Sequence, residues 1–467
     1  MDTPSAASGD NPRLWSSRKK LRHFVIVCFF SGWTSIATTG YLPMQAVVTA
    51  EFSVSPTTFL VGNLLFFSVG VAFTPLLVSP LSEILGRRRI YLVSTLGFAL
   101  LCIPPAAVPA PTFWPTLLAR LLQGCFASVG NSTTAGTVSD LYGAGSRGLP
   151  MSILCLAIYV GQGVGPPLSS AILAAGISWR WIYALWALVV FGLFLVLALF
   201  FCETRPAVSS RDAEPDSELG NKEGAATREK VRFGQAVRIS LSRSAWWLVS
   251  EPIVSCFALW VGFLWGCIFL IIESVPTVFE AYGWSEVQKS SVLLAISVGG
   301  VFGWLINLHQ DKIYSKAAKR AAPDEPGPEA RLYWACVAAV VAPMGFFIYA
   351  WTGRASITPV APIVGLTMFS TATFILYVAS WSYLADAYSI YAASALAAQS
   401  WLRNFLAGIF TLVAPRMYED LSPPIASTML ACIALGLAVC PFVFFFYGPR
   451  IRARSKVASS VATAHGS

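Results

Sequence analysis

Charge is what this chain of 467 residues has least of, with 12% Asp, Glu, Lys and Arg against 56% hydrophobic residues. Soluble domains carry about 25% charged residues, so that class is excluded and most of the chain must face lipid. Histidine is almost missing: His23, His309 and His465 all lie outside the long apolar runs, and neither a metal site nor a histidine proton relay is expected. No G-x-x-x-x-G-K-[S/T] loop and no soluble nucleotide domain occurs, which argues against an ATP-driven pump and against enzymatic chemistry of that kind. The ten cysteines, from Cys28 to Cys440, sit in or at the ends of apolar runs, where they read as small packing residues rather than a disulfide framework.

What is present is length in apolar runs. A helix crosses the hydrocarbon with roughly 20 apolar residues, and such segments fall at 24–48, 57–79, 90–110, 113–138, 148–175, 181–202, 252–278, 286–308, 332–351, 359–383, 393–414 and 425–447. The expected fold is an all-α membrane protein with twelve transmembrane helices in two pseudo-symmetric six-helix bundles. The corresponding division is a tail at 1–23, a first bundle at 24–202, a polar linker at 203–245, a second bundle at 246–447 and a tail at 448–467. The linker is too poor in apolar residues to fold alone.

Lysine and arginine set the orientation. With the N-terminus cytoplasmic, inside segments hold 26 of the 32 basic residues, outside segments hold Arg180, Lys289, Arg354 and Arg416, and Arg120 and Arg403 fall within spans. Both termini are therefore expected in the cytoplasm. The formal charge of +9 follows from this bias and from anionic inner-leaflet lipid, so no nucleic-acid partner is expected. The first apolar run is too long for the core of a cleaved signal and reads as a signal anchor. The sequon at Asn131 lies inside the fourth span and is expected to stay unglycosylated.

Two halves of six invite a search for symmetry. "SDLYGAGSRG" after the fourth span matches "ADAYSIYAAS" after the tenth, pairing Asp140 with Asp386 and Tyr142 with Tyr388, and "DKIYSK" from Asp311 faintly echoes "EILGRR" from Glu83. The turn between spans two and three, "SPLSEILGRRRIYL", places Gly86 for a sharp bend, with Arg87 and Arg88 within reach of inner-leaflet phosphates or of Glu83 and Asp140.

These residues resemble the major facilitator superfamily, and within it the fungal drug:proton antiporter type with twelve spans. The family's first motif, G-x-L-x-[D/E]-x-x-G-R-[R/K], is met by Leu81, Glu83, Gly86, Arg87 and Arg88, with Ser79 in place of the first glycine. The fourth-span motif R-x-x-Q-G is met by Arg120, Gln123 and Gly124. The fifth-span antiporter motif is met by Gly161, Gly165 and Pro166, with Ser169 and Ser170 in place of its last glycines. "FCETRP", "EPI", "PEARL" and "DAYSIYAASALAA" extend the likeness along the chain.

The resemblance implies alternating access by two rocking bundles, with Glu83, Gly86, Arg87, Arg88, Arg120, Asp140, Gly165 and Pro166 in coupling and gating. The fifth-span residues suit a tight helix pair as well as an antiport role. Polar side chains that would be costly in lipid mark the expected cavity: the stripe Ser31, Thr34, Thr38, Tyr41 and Gln45 on the first span, then Asn131, Tyr159, Gln162, Glu273, Tyr377, Trp381, Gln399 and Arg403. Gln45, Asn131, Gln162, Glu273, Trp381, Gln399 and Arg403 are the substrate-binding candidates. No Asp or Glu interrupts the deep part of the first six spans, so an anionic or neutral cargo fits better than a dication. Arg120 and Arg403 are binding residues or structural ones. The expected function is proton-coupled efflux of a small organic molecule (organic acid, secondary metabolite or xenobiotic) from the plasma membrane by a monomer. The partners are the cargo and the bilayer, and the proton gradient stands where a cofactor would. The alternatives are an importer of the same fold or a non-transporting membrane sensor.

Overall fold

Prolines and capping hydroxyls begin the helices. Pro56, Pro252 and Pro423 occupy first turns, where a missing N–H costs nothing, and Ser285 forms a reciprocal capping box with Gln288. The structure is a computed structural model that describes residues 11–108, 112–143, 146–205, 242, 246–321, 327–388 and 392–455. Most of the 203–245 linker and the ends of both tails lie outside the described residues.

Among the described residues twelve spans follow in chain order. They are α1 (Ser17–Thr39), α2 (Phe67–Leu85, led in by Pro56–Leu60 and a π-helical stretch Val61–Phe66), α3 (Arg87–Leu101), α4 (Trp114–Leu141), α5 (Gly148–Ala174) and α6 (Arg180–Phe200). The second six are α7 (Pro252–Glu280), α8 (Leu294–Ala321), α9 (Tyr333–Thr352), α10 (Val360–Tyr388), α11 (Ala392–Leu421) and α12 (Pro423–Leu437, continued by Val439–Arg454). The first apolar run is not one helix: α1 closes at Gly40, a short turn containing Pro43 follows, and Gln45–Phe52 forms a separate helix.

Among the described residues ten of these spans are long and apolar enough to cross a membrane on length and composition, and α4 and α11 are not among them. Those two helices carry Arg120, Gln123 and Asn131, and Gln399, Arg403 and Asn404. Their polarity is tolerated because neighbouring spans shield it, as burial of Arg120, Gln123, Gln399 and Arg403 shows. Position in the bundle is not set by greasiness: in α7 83% of the most apolar window is buried, in α6 only 33%.

Within the first half α1 packs on α5, α2 on α4 and α3 on α6, and in the second half α7 packs on α11 and α9 on α10. The halves meet through α5 with α8 and α2 with α11. The α1–α5 contact is close enough that a methyl group at Gly161 would lie 2.2 Å from the Gly32 carbonyl oxygen. In α5, Pro166 has no N–H to give the Gln162 carbonyl four residues back. Thr39 of α1 supplies the missing donor, its hydroxyl lying 2.9 Å from that oxygen.

Candidate functional site

The helix ends at Gly86, Tyr142, Arg331 and Tyr388 gather with Arg205, five residues past the end of α6, on one face, the basic face. From it a cavity of about 330 Å³ runs inward between the halves, lined by Arg87, Asp140, Arg147, Arg205, Asp311, Arg331 and Asp386 near the mouth and by Asn131, Tyr377, Trp381, Gln399 and Arg403 further in. Beyond Asn131 and Arg403 it narrows to a pocket of about 30 Å³ walled by Ser35, Thr38, Gln162, Trp265 and Asn404. Drug-sized ligands occupy clefts of roughly 300–1,000 Å³, so the outer chamber suits a small organic molecule and the inner one does not.

At the mouth, Gly86 adopts φ 89°, and a methyl there would lie 2.3 Å from the Glu203 carboxylate. Both demands require glycine. Glu203 accepts from the backbone N–H of Arg87 at 2.9 Å and of Arg88 at 3.1 Å, satisfying the first donors of α3 with a negative charge. The Arg87 side chain turns inward to Asp140 (Nε to Oδ2, 3.1 Å), whereas Arg88 is exposed and donates to the Ala198 carbonyl at 2.8 Å. Arg205 stands 3.8 Å from the other Asp140 oxygen. The side chain of Glu83 lies outside the described residues.

The second half repeats this device. Arg331 Nε lies 3.0 Å from Asp386 Oδ2, and its Nη1 lies 3.8 Å from Asp311. The spacing is 53 residues from Arg87 to Asp140 and 55 from Arg331 to Asp386. The Asp140–Asp386 match is thus expressed in the structure, but the basic partner in the second half is Arg331 and not a lysine of "DKIYSK". Among the described residues an ion pair crosses the mouth between halves: Arg147 to Asp386 at 3.9 Å. Glu251 of "EPI" accepts from Tyr388 and Ser455, and Glu329 of "PEARL" makes a two-pronged pair with Arg452 at 3.0 and 2.9 Å. Both tie the end of α12 to the basic face.

On the opposite face the halves are closed. The hydroxyl of Tyr41, fully buried, donates to Glu273 of α7, and Ser297 of α8 donates to the Val160 carbonyl of α5 at 3.0 Å. Glu273 is therefore part of this closure and does not line the cavity, and Gln45 lies on the same side, half-buried and also off the cavity. Of the remaining first-span stripe, Ser31 binds the Gly130 carbonyl of α4, and Thr38 faces the inner pocket.

Arg120 is fully buried and engaged by protein: its Nε and Nη2 donate to the Asn63 carbonyl at 3.1 and 2.7 Å, Nη1 to Gln123 Oε1 at 2.9 Å, and Nη2 to the Ala37 carbonyl at 3.4 Å. The receiving carbonyl belongs to the π-helical stretch before α2. Arg120 lines neither chamber and staples α1, α2 and α4 together. Arg403 differs: its Nε has no hydrogen-bond partner among the described residues, and Cζ lies 4.7 and 4.8 Å from the ring centres of Trp265 and Tyr377. Asn131 Oδ1, Gln162 Oε1 and the Tyr159 hydroxyl are also buried without partners. Gln399 donates to Ser380 at 3.0 Å.

Sequence reasoning assigned no role to Glu203, Arg205 or Arg331. The available signals were the acid of "FCETRP" directly after the sixth span and the near-equal Arg-to-Asp spacing in the two halves.

Comparison with known proteins agrees with this geometry. A family model described as Major Facilitator Superfamily matches residues 24–411. The MFS-type efflux pump MFS2 of Trichophyton rubrum is 30% identical over 454 residues, covering 96% of this chain and 76% of that protein. The MFS-type transporter traF of Penicillium crustosum is 30% identical over 465 residues, covering 98% and 93%. Among solved structures, the xylose transporter XylE from E. coli superposes with a TM-score of 0.65 at 13% identity over 92% of this chain and 98% of that one. The human organic anion transporter MFSD10 does so at 0.64 and 18% over 91% and 99%. The chain belongs to the major facilitator superfamily and is a multi-pass integral membrane protein acting as a secondary transporter.

Proposed function

We propose that this transporter is a proton-driven exporter of a small organic molecule at the plasma membrane, with both termini and the basic face in the cytoplasm. The observation that carries the reading is the cavity: it is reached from the basic face and closed on the other by Tyr41–Glu273 and Ser297–Val160. A cargo enters it from the face that carries Arg87, Arg147, Arg205 and Arg331, which the basic bias of the sequence assigns to the cytoplasm. The relative named as an efflux pump, MFS2 of Trichophyton rubrum, supports the direction. Rocking about the central chamber then exchanges the two closures, Arg147–Asp386 tightening as Tyr41–Glu273 opens. Glu273, a carboxylate on the gate that faces the outer medium, is assigned the exchanged proton, since no arginine gives one up at physiological pH.

The test is metabolite profiling of medium and cells with and without the gene, followed by reconstitution of the full chain in proteoliposomes with an imposed pH gradient. Export means a metabolite enriched in the medium only when the gene is present, and uphill movement that a protonophore stops. Depletion from the medium would make the protein an importer.

A further inference from the structure

Among the described residues, five arginines and three aspartates line the outer chamber. Four of the arginines are already matched: Arg87 and Arg205 with Asp140, Arg147 and Arg331 with Asp386. Arg403 is the fifth. It is 5% exposed, no carboxylate among the described residues lies within ion-pair distance, and its polar contacts among them are a 3.4 Å hydrogen bond from Nη2 to Ser400 Oγ and the Tyr377 hydroxyl. Its guanidinium rests against Trp265 and Tyr377, and Trp381 extends the aromatic surface with its ring centre 5.5 Å from that of Tyr377.

A planar fork of N–H donors matches a carboxylate two bonds at a time. A ring attached to that carboxylate can stack, offset, on the aromatic faces beside it. The unpartnered amide oxygens of Asn131 and Gln162 lie around the same narrowing and are placed to accept from a hydroxyl or N–H on the cargo. We infer that Arg403, with the aromatic shelf of Tyr377 and Trp381, is the cargo-binding site, and that the cargo class is a planar aromatic organic acid carried as its anion. The carboxylate sits on Arg403 and the ring on the shelf. This rests on the cavity being the transport path, and it deepens that reading by naming the substrate class.

The experiment is equilibrium binding to the purified full chain in lipid nanodiscs, without a proton gradient, using three probes: 2-naphthoate, its neutral isostere 2-naphthamide, and the non-aromatic anion decanoate. Wild-type protein is expected to bind 2-naphthoate at least tenfold more tightly than either of the others. Arg403→Gln should lower 2-naphthoate affinity at least tenfold and leave 2-naphthamide unchanged, with Arg403→Lys in between. Trp381→Ala should weaken both aromatic probes and leave decanoate as it was. The three-probe comparison on wild type needs no variant, so misfolding of a mutant does not blunt it. Equal binding of naphthoate and naphthamide by wild type, or no binding of either, overturns the site, as does unaltered naphthoate affinity in a folded Arg403→Gln protein. The two readings fail separately. Naphthoate held by Arg403 in a protein that moves nothing outward removes the exporter and leaves the site, whereas proton-driven export with indiscriminate probe binding does the reverse.

Discussion

Arg120 and Arg403 stand for two regions built from the same material and put to different uses. Each lies in one of the two spans too polar to qualify as membrane-crossing by composition, each is at least 95% buried, and each has aromatic neighbours. Around Arg120 three groups of the protein, two backbone carbonyls and one side-chain amide, point at the guanidinium. Around Arg403 they do not. Removing a cation from water costs several kcal/mol, and one cation–π contact returns roughly 0.5–2 kcal/mol. The Trp265 and Tyr377 faces therefore leave a deficit, which is met from the cavity side by solvent or by an anion. The lesson is that burial does not distinguish a structural arginine from a binding one; the completeness of its hydrogen bonding does.

The sharpest way to break this comparison is to remove each charge and measure stability. Arg120→Gln strands the Asn63 and Ala37 carbonyls and is expected to destabilise the detergent-solubilised protein by about 2–4 kcal/mol, with a matching fall in folded yield. Arg403→Gln should change the unfolding free energy by less than about 1 kcal/mol. Equal losses would make both arginines structural.

Next in size are the two mouth devices. Asp140→Asn leaves Arg87 without its carboxylate, and Asp386→Asn leaves Arg331 only the 3.8 Å contact with Asp311 while also removing the Arg147 contact. Each should slow initial transport about tenfold, equivalent to about 1.4 kcal/mol, at unchanged protein level. A loss in one half alone would show that the repeated geometry does not carry a repeated role.

Tyr41→Phe removes a single hydroxyl from the closure on the other face. A shift of about 1 kcal/mol toward opening there follows, read as a roughly fivefold faster reaction of a cysteine at Thr38 with a membrane-impermeant maleimide added on that side. Thr39→Val should do least. It deprives the Gln162 carbonyl of its substitute donor at a cost of about 0.5–1.5 kcal/mol, seen as a small drop in the denaturation midpoint without a change in cargo affinity.

Much of the fold was legible because hydropathy and helix length are properties of consecutive residues. The runs at 148–175 and 252–278 appear almost unchanged as Gly148–Ala174 and Pro252–Glu280. The run at 24–48 was misread as one helix because Gly40 and Pro43 interrupt the backbone without interrupting the apolar pattern. The site was less legible. Eleven residues apart, almost three full turns, Arg120 and Asn131 fall on one face of α4 by helical spacing, yet Arg120 points among α1 and α2 while Asn131 lines the cavity.

The sequence alone determined the lipid environment, the number of spans, the basic bias and the glycine demanded at the turn before Arg87, since each depends on composition or on residues within a few positions of one another. Tertiary structure decided the partners. Glu203 reaches Arg87 across 116 residues, and Tyr41 reaches Glu273 across 232. It also decided that Arg120 is satisfied by protein while Arg403 faces the chamber. Coulomb attraction and hydrogen bonding fall off over a few ångströms in space and carry no trace of distance along the chain, so only the packed bundle could assign them.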